Sequence, residues 1–146
     1  MINIPITRFF LFLRDYIVNN YGLNVSIEIP SDTKEQLTIY FVNISNIKNL
    51  PKYNGSCSIM VHFDYQYVAS TVNPYEKLDT IINLYAELSN IVGLKIESDI
   101  NTERDIKIYK SIFTMFPALD YDGKDQQHLR CEIVFDIDLS ISNWSE

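Results

Sequence analysis

The chain has 146 residues, 47% of them hydrophobic and 21% charged, with a formal charge of −7 at pH 7. A chain of that length fits one domain and buries roughly 68 to 70% of its unfolded surface. The mixture argues against disorder and against a membrane protein, no apolar run reaches the ~18 residues of a bilayer span, and the negative charge argues against a phosphate-tracking nucleic-acid binder.

The first element is written as a helix. Asn3 is a candidate N-cap, Pro5 sits in the first turn, and Ile6, Phe10, Leu13 and Ile17 recur at helical spacing, widened by Phe9, Phe12 and Tyr16. Gly22 stops it where a left-handed residue is wanted. Arg14 and Asp15 interrupt the apolar stretch and no small-residue cleavage pattern follows, so it reads as the retained N-terminus of a cytosolic product and not as a signal peptide.

A short strand, NVSIEIP, follows, then the polar turn SDTKEQ and a second strand, LTIYFVNIS. Asn54-Gly55 tolerates positive φ at both centres of a tight turn and predicts a hairpin into the long strand SCSIMVHFDYQYVAS at 56–70. On that strand Ile59, Val61, Phe63, Tyr65 and Tyr67 share one face, and Ser58, Met60, His62, Asp64 and Gln66 the other. The second helix has Asn73 as N-cap, Pro74 at the first position and Glu76 three residues after the cap. Its predicted buried stripe is Leu78, Ile81, Ile82, Tyr85, Leu88 and Val92, and Gly93 ends it.

LKIESDI reads as a short strand. Residues 106–116 suit a strand or a helix, terminated in either case by Pro117. The polar stretch DYDGKDQQH leads into LRCEIVFDIDLSIS, where Cys131, Ile133, Phe135, Ile137, Leu139 and Ile141 alternate with Glu132, Val134, Asp136, Asp138 and Ser140. Such a strand is near 40 Å long at about 3.3 Å per residue, more than a small core requires. No repeat or linker divides the chain. Residues 1–146 therefore form a single α+β domain, with a mixed, mostly antiparallel β-sheet and two main α-helices packed on one face.

Sequence motifs for chemistry are missing. The four glycines close helices or follow Asn or Asp in turns, which leaves none for a phosphate-cradling loop. Asp120 and Asp122 precede Gly123 at the wrong spacing for a calcium loop, and no Cys or His pair has zinc spacing, so neither metal nor cofactor is expected. Cys57 and Cys131 each open a strand-like segment, which leaves room for them to be neighbours in space, and they read as free buried thiols. His62, Asp64 and Ser58 imitate a hydrolase triad without the strained nucleophile and oxyanion pocket that a triad needs. Glu132, Asp136 and Asp138 give the last strand an acidic face, either simply solvated or lining a passage through which like-charged DNA slides. Tyr40, Tyr65 and Tyr67 suit a core or an interface, and Trp144 either docks on a partner or folds back.

The order of elements resembles the tail terminator, or tail completion, family of tailed bacteriophages, in particular its lambda-like members. The stretches that carry the resemblance are the N-terminal amphipathic helix, the long strand at 56–70 running through TVNPYEK into the helix LDTIINLYAELSNIV, and the acidic hairpin DYDGKDQQH feeding LRCEIVFDIDLSIS. The resemblance implies a structural virion protein of the tail and neck, assembled in the host cytoplasm and without enzymatic activity. Its copies would form a hexameric ring that caps the tail tube, stops its polymerisation and presents a surface to the head connector. The implied partners are further copies of the chain, the tail tube protein and the head completion or connector protein, with no membrane, and with DNA passing through unbound. Glu132, Asp136 and Asp138 are then the candidate lumen residues. Tyr40, His62, Asp64, Tyr65, Tyr67, Asp120, Asp122, Lys124, Asp125 and Trp144 are the candidate subunit or partner interface. Rival readings are a neck component or the cap of a contractile injection particle, a small hydrolase using His62 and Asp64, and a monomeric inhibitor-type module docking through its tyrosines.

Overall fold

The computed structural model describes residues 6–30, 35–48, 54–68, 74–91, 94–96, 106–121 and 126–140. Its elements are α1 (Ile6–Tyr21), β1 (Val25–Ile27), β2 (Gln36–Lys48), β3 (Asn54–Val68), α2 (Pro74–Leu88), β4 (Leu94–Ile96), β5 (Ile106–Tyr121) and β6 (Gln126–Ser140). The strands form one six-stranded sheet in the order β1-β2-β3-β6-β5-β4. Only β1 with β2 is parallel, so the fold is α+β with a mixed, mostly antiparallel sheet.

The centre of the sheet is the ladder of β3 with β6, unbroken from Asn54↔Ser140 to Val68↔Gln126. Because side chains alternate across a strand, this register sets odd-numbered residues of both strands on one face and even-numbered ones on the other. The odd face carries Ile59, Val61, Phe63, Tyr65, Cys131, Ile133, Phe135 and Ile137, all buried. Both helices pack there. α1 contributes Phe9, Phe10, Leu13 and Ile17, and α2 contributes Ile81, Leu84, Tyr85 and Leu88. Phe135 is the junction: its ring meets Phe9 at 5.4 Å and Phe63 at 6.4 Å between centroids. Each fully buried phenylalanine of this kind stabilises the fold by about 1.5–3 kcal/mol. The Tyr85 hydroxyl, which burial would otherwise leave without a partner, donates to the Leu129 carbonyl at 2.8 Å and ties α2 to β6.

The parallel β1–β2 pair is joined by a short connection. A three-residue strand climbs only about 10 Å, so a brief return suffices. Glu28 turns the chain at φ 59, and Gln36 Nε2 holds the return by reaching Ser26 Oγ at 2.7 Å and the Ile29 carbonyl at 2.8 Å. Gly22, at φ 64, ends α1 as expected, its N–H donating to the Val18 carbonyl.

Several expectations need correction. Asn54 and Gly55 are the first residues of β3, laddered to Ser140 and Leu139, because pairing with β6 outweighs their turn preference. β2 and β3 still pair antiparallel, with their connection outside the described residues. Segment 106–116 is a strand, and Pro117 does not end it: β5 continues to Tyr121. The register shifts between Met115 and Ala118, and a bulge tolerates the missing proline N–H. On α2, Ile82 is 43% exposed and Leu84 takes the core position instead. Asn3, Pro5, Asn73, Val92, Gly93 and Gly123 lie outside the described residues.

The two helices are also joined at their exposed ends. Tyr16 and Tyr21 of α1 both donate hydroxyl hydrogen bonds to the Glu87 carboxylate of α2. Those bonds lower the Glu87 pKa below its ordinary value. The Glu87 hydrogen bond, then burial, raises Tyr16 to about 12, and burial, then the Glu87 hydrogen bond, raises Tyr21 to about 12. A depressed carboxyl adds stability above its unfolded pKa, lost as pH falls through the folded one. A raised phenol adds stability below its unfolded pKa, lost as pH rises through the folded one. The clamp therefore holds from above the ordinary carboxyl pKa of 4.5 to the ordinary phenol pKa of 10, and weakens from 10 towards about 12. Glu87→Gln is expected to cost about 1 kcal/mol at neutral pH at so exposed a position, roughly 3 °C in Tm. The loss should shrink at both ends of that window, and thermal unfolding across pH checks it.

Candidate functional site

Among the described residues the even face of β3 and β6 carries no helix, and the sheet register arranges it in rows across β2, β3, β6 and β5. One row reads Thr38, Asp64, Arg130 and Ala118, the next Tyr40, His62, Glu132 and Met115, and a further one Ser45, Ser58, Asp136 and Lys110. A shallow depression of about 330 Å³ is lined by Tyr40, His62, Asp64 and Arg130.

Asp64 is the hub of this face and is buried, only 7% exposed. His128 Nδ1 lies 3.0 Å and 3.2 Å from its two oxygens. Because a carboxylate only accepts, that nitrogen carries the proton. Arg130 Nε stands 3.5 Å away from Asp64 while its Nη1 donates to Asp120 on β5. One guanidinium thus bridges carboxylates from two strands, and the group crosses β3, β6 and β5. His62 lies outside that group, with its Nδ1 3.7 Å from Glu132 and its ring 5.9 Å from that of Tyr40. Burial, then the nearby Asp64 charge, pushes the Tyr40 phenol above its ordinary pKa and keeps it a donor.

This geometry disperses the imitation triad. Asp64 orients His128 and not His62, and Ser58 donates instead to Asp136 Oδ1 at 2.6 Å. Ser58 and His62, four residues apart along β3, are separated by roughly 13 Å. Among the described residues no group of three or more His, Cys, Asp or Glu is arranged to hold a metal ion, and no helix is long and apolar enough to cross a membrane. The cysteines are not neighbours. Cys57 is opposite Ile137 and Cys131 opposite Phe63, which sets them roughly 20 Å apart. Burial, then the Asp136 charge, pushes the Cys57 thiol up to about 11, and burial drives Cys131 higher still, so both thiols stay protonated and inert.

Of the residues proposed from sequence, Tyr40, His62, Asp64, Glu132 and Asp136 do share one face. Tyr65 and Tyr67 do not: they stack at 5.6 Å on the helix-covered side and are buried, so this protomer does not offer their rings to a partner. Asp120 is present but engaged by Arg130. Asp138 is placed by backbone alone, opposite Ser56 and next to Lys107. Asp122, Lys124, Asp125 and Trp144 lie outside the described residues. Sequence reasoning missed Arg130 and His128; their parity with Glu132 was visible, but not that β6 lies beside β3.

The sheet edges form a second feature. β1 covers β2 only at Leu37–Ile39, and β4 covers β5 only at Ile106–Ile108. Among the described residues the rest of both strands has no outer neighbour. Exposed apolar side chains concentrate there: Phe41, Val42 and Ile47 on β2, and Tyr109, Ile112, Phe116 and Leu119 on β5. Their spacing in the sequence does not mark them, and only the sheet order shows that they lie at edges.

Asp64→Ala removes the acceptor of two buried or half-buried donors and is expected to cost about 2–4 kcal/mol. His62→Ala, at a half-exposed pair, should cost less than about 1 kcal/mol. Urea unfolding midpoints of the two variants, at unchanged slope, check this ranking.

No family model matches the chain, and the search of curated proteins returns no match.

Proposed function

We propose that this chain is a structural, non-enzymatic virion protein: a phage tail terminator whose copies form a ring that caps the tail tube, halts its polymerisation and provides the head–tail joining surface. The observation that carries the reading is the pair of long strands, β2 and β5, on opposite sides of one sheet, which among the described residues are covered only at one end and both bear exposed apolar side chains. Exposed apolar side chains gathered on both flanks of the sheet suit contact with other chains. Two different edges on one protomer suit head-to-tail contacts, which close into a ring when the rotation permits.

Three further observations support the reading. The element order that resembles the terminator family is present, with the long strand leading into α2 and the closing strand β6 placed beside it. The strands β3, β5 and β6 have 15, 16 and 15 residues, so each is roughly 50 Å long, well beyond a usual strand of 5–6 residues. Four carboxylates of the open face have neighbours: Glu132 faces His62, Asp136 accepts from Ser58, and Asp64 and Asp120 share Arg130. A face so internally satisfied, in an acidic protein, offers little grip to a passing polyanion.

Negative-stain electron microscopy of the purified protein, alone and mixed with tail tube subunits, tests the proposal. Rings, or tubes shortened and capped at one end by this protein, are the expected result. Solitary particles beside tubes of unaltered length would sink it.

A further inference from the structure

We infer that successive copies of this chain join through one aromatic lock, in which Phe116 on the β5 edge of one copy seats against Phe10 and Phe41 in a pocket at the β2 edge of the next. The inference rests on the ring reading above and names its interface.

The receiving site is a pocket of about 310 Å³ lined by Thr7, Phe10, Ile27, Glu28 and Phe41. It is at the small end of binding pockets and of a size for one aromatic side chain. Phe10 and Phe41 form its aromatic wall, edge to face at 6.2 Å. At the far edge of the sheet Phe116 is 75% exposed, the most exposed of the large hydrophobic side chains described, and it is braced against Phe113 at 5.5 Å.

Phe113, the brace of the knob, and Phe41, the wall of the pocket, lie at the two ends of one cross-strand row. Phe41 is opposite Val61, Val61 opposite Ile133, and Ile133 opposite Phe113. Phe116 itself sits in the bulge between Met115 and Ala118, about two rows, or ~7 Å, along the strands from Phe113, so knob and pocket occupy opposite sides of the sheet at similar height. A contact between opposite sides of the protomer is head-to-tail, the kind that closes into a ring when its rotation permits.

The edges themselves argue for a side-chain lock over a continuous main-chain ladder. β2 shifts register twice and β5 three times, Pro117 beside the knob has no N–H, and the Phe41 N–H already donates to the Glu28 carboxylate. Bulged, proline-bearing edges are poor templates for strand addition. The area suffices for a second copy: the exposed fractions of the apolar side chains on the two edges amount to roughly 680 Å² at about 200 Å² per side chain. With apolar atoms forming about 56–65% of an interface, roughly 1,100 Å² would be buried, just above the ~1,000 Å² of a specific contact. A foreign partner would use only one of the two edges.

The test combines Phe116→Ser, Phe116→Leu and a cysteine pair, Thr7→Cys with Phe116→Cys, in the full chain. Sedimentation velocity across a dilution series, alone and with tube subunits, should show wild-type assembly, about tenfold or more weakened in Phe116→Ser and largely kept in Phe116→Leu. The unfolding midpoint of Phe116→Ser should stay unchanged, because the side chain is exposed. Mild oxidation of the double-cysteine variant should give covalent closed oligomers, and the two single variants should cross-link only when mixed. Normal assembly of Phe116→Ser without a link between positions 7 and 116 would overturn the lock and leave the ring standing. Predominant links from 116 to 116, or a foreign protein bound at Phe116 without self-association, would also overturn it. A wild-type protein that stays monomeric even beside tube subunits would overturn both.

Discussion

The rest of the molecule hangs on the register of the unbroken β3–β6 ladder. A slip of one residue would set Phe63 and Phe135 on opposite faces, turning the apolar set of one strand outward and carrying its polar set towards the helices. With the register as it is, the apolar set meets α1 and α2, and the polar set forms the network around Asp64. The long ladder also spaces the outer strands, so that β2 and β5 end up as opposite edges of a single sheet. Helix packing, polar face and edge chemistry are thus three consequences of one pairing.

The two faces are stabilised differently. The helix-covered face is held by burial of large apolar side chains around Phe9, Phe63 and Phe135, a term that scales with area and has little directional demand. The open face is held by directed contacts across strands, in which Arg130 and His128 surround Asp64 and Arg130 reaches on to Asp120. Buried charge in such a cluster adds less stability than the same volume of apolar packing, yet it penalises any register that leaves a carboxylate without its partners. The polar face is therefore a second reader of the same register.

Much of this was legible in the sequence. The capping pattern at Pro74, the apolar spacing of Phe10, Leu13 and Ile17, and the alternation at 56–68 and 129–137 are local properties, and the corresponding elements form where those patterns place them. Information about which strands are neighbours is not local. Asp64 and Arg130 share a site only because β6 returns beside β3, and no spacing of residues in the chain encodes that return. Tyr65 and Tyr67 were ambiguous for a related reason: a tyrosine fits a core or an interface equally well, and its neighbours across the strand decide. Pro117 misled because proline ends most strands, whereas a bulge on an edge strand accommodates it. The exposure of Phe116 and Ile112 followed from their edge position, which again is a property of the whole sheet.

Cross-strand nuclear Overhauser effects in isotopically labelled protein test the central pairing most directly. The account predicts contacts between the backbone protons of Phe63 and Cys131, Val61 and Ile133, and Ile59 and Phe135, with slow amide exchange along both strands. Contacts displaced by one residue, or β6 found beside a strand other than β3, would contradict it and would dissolve the polar network and the shared row of Phe41 and Phe113 together.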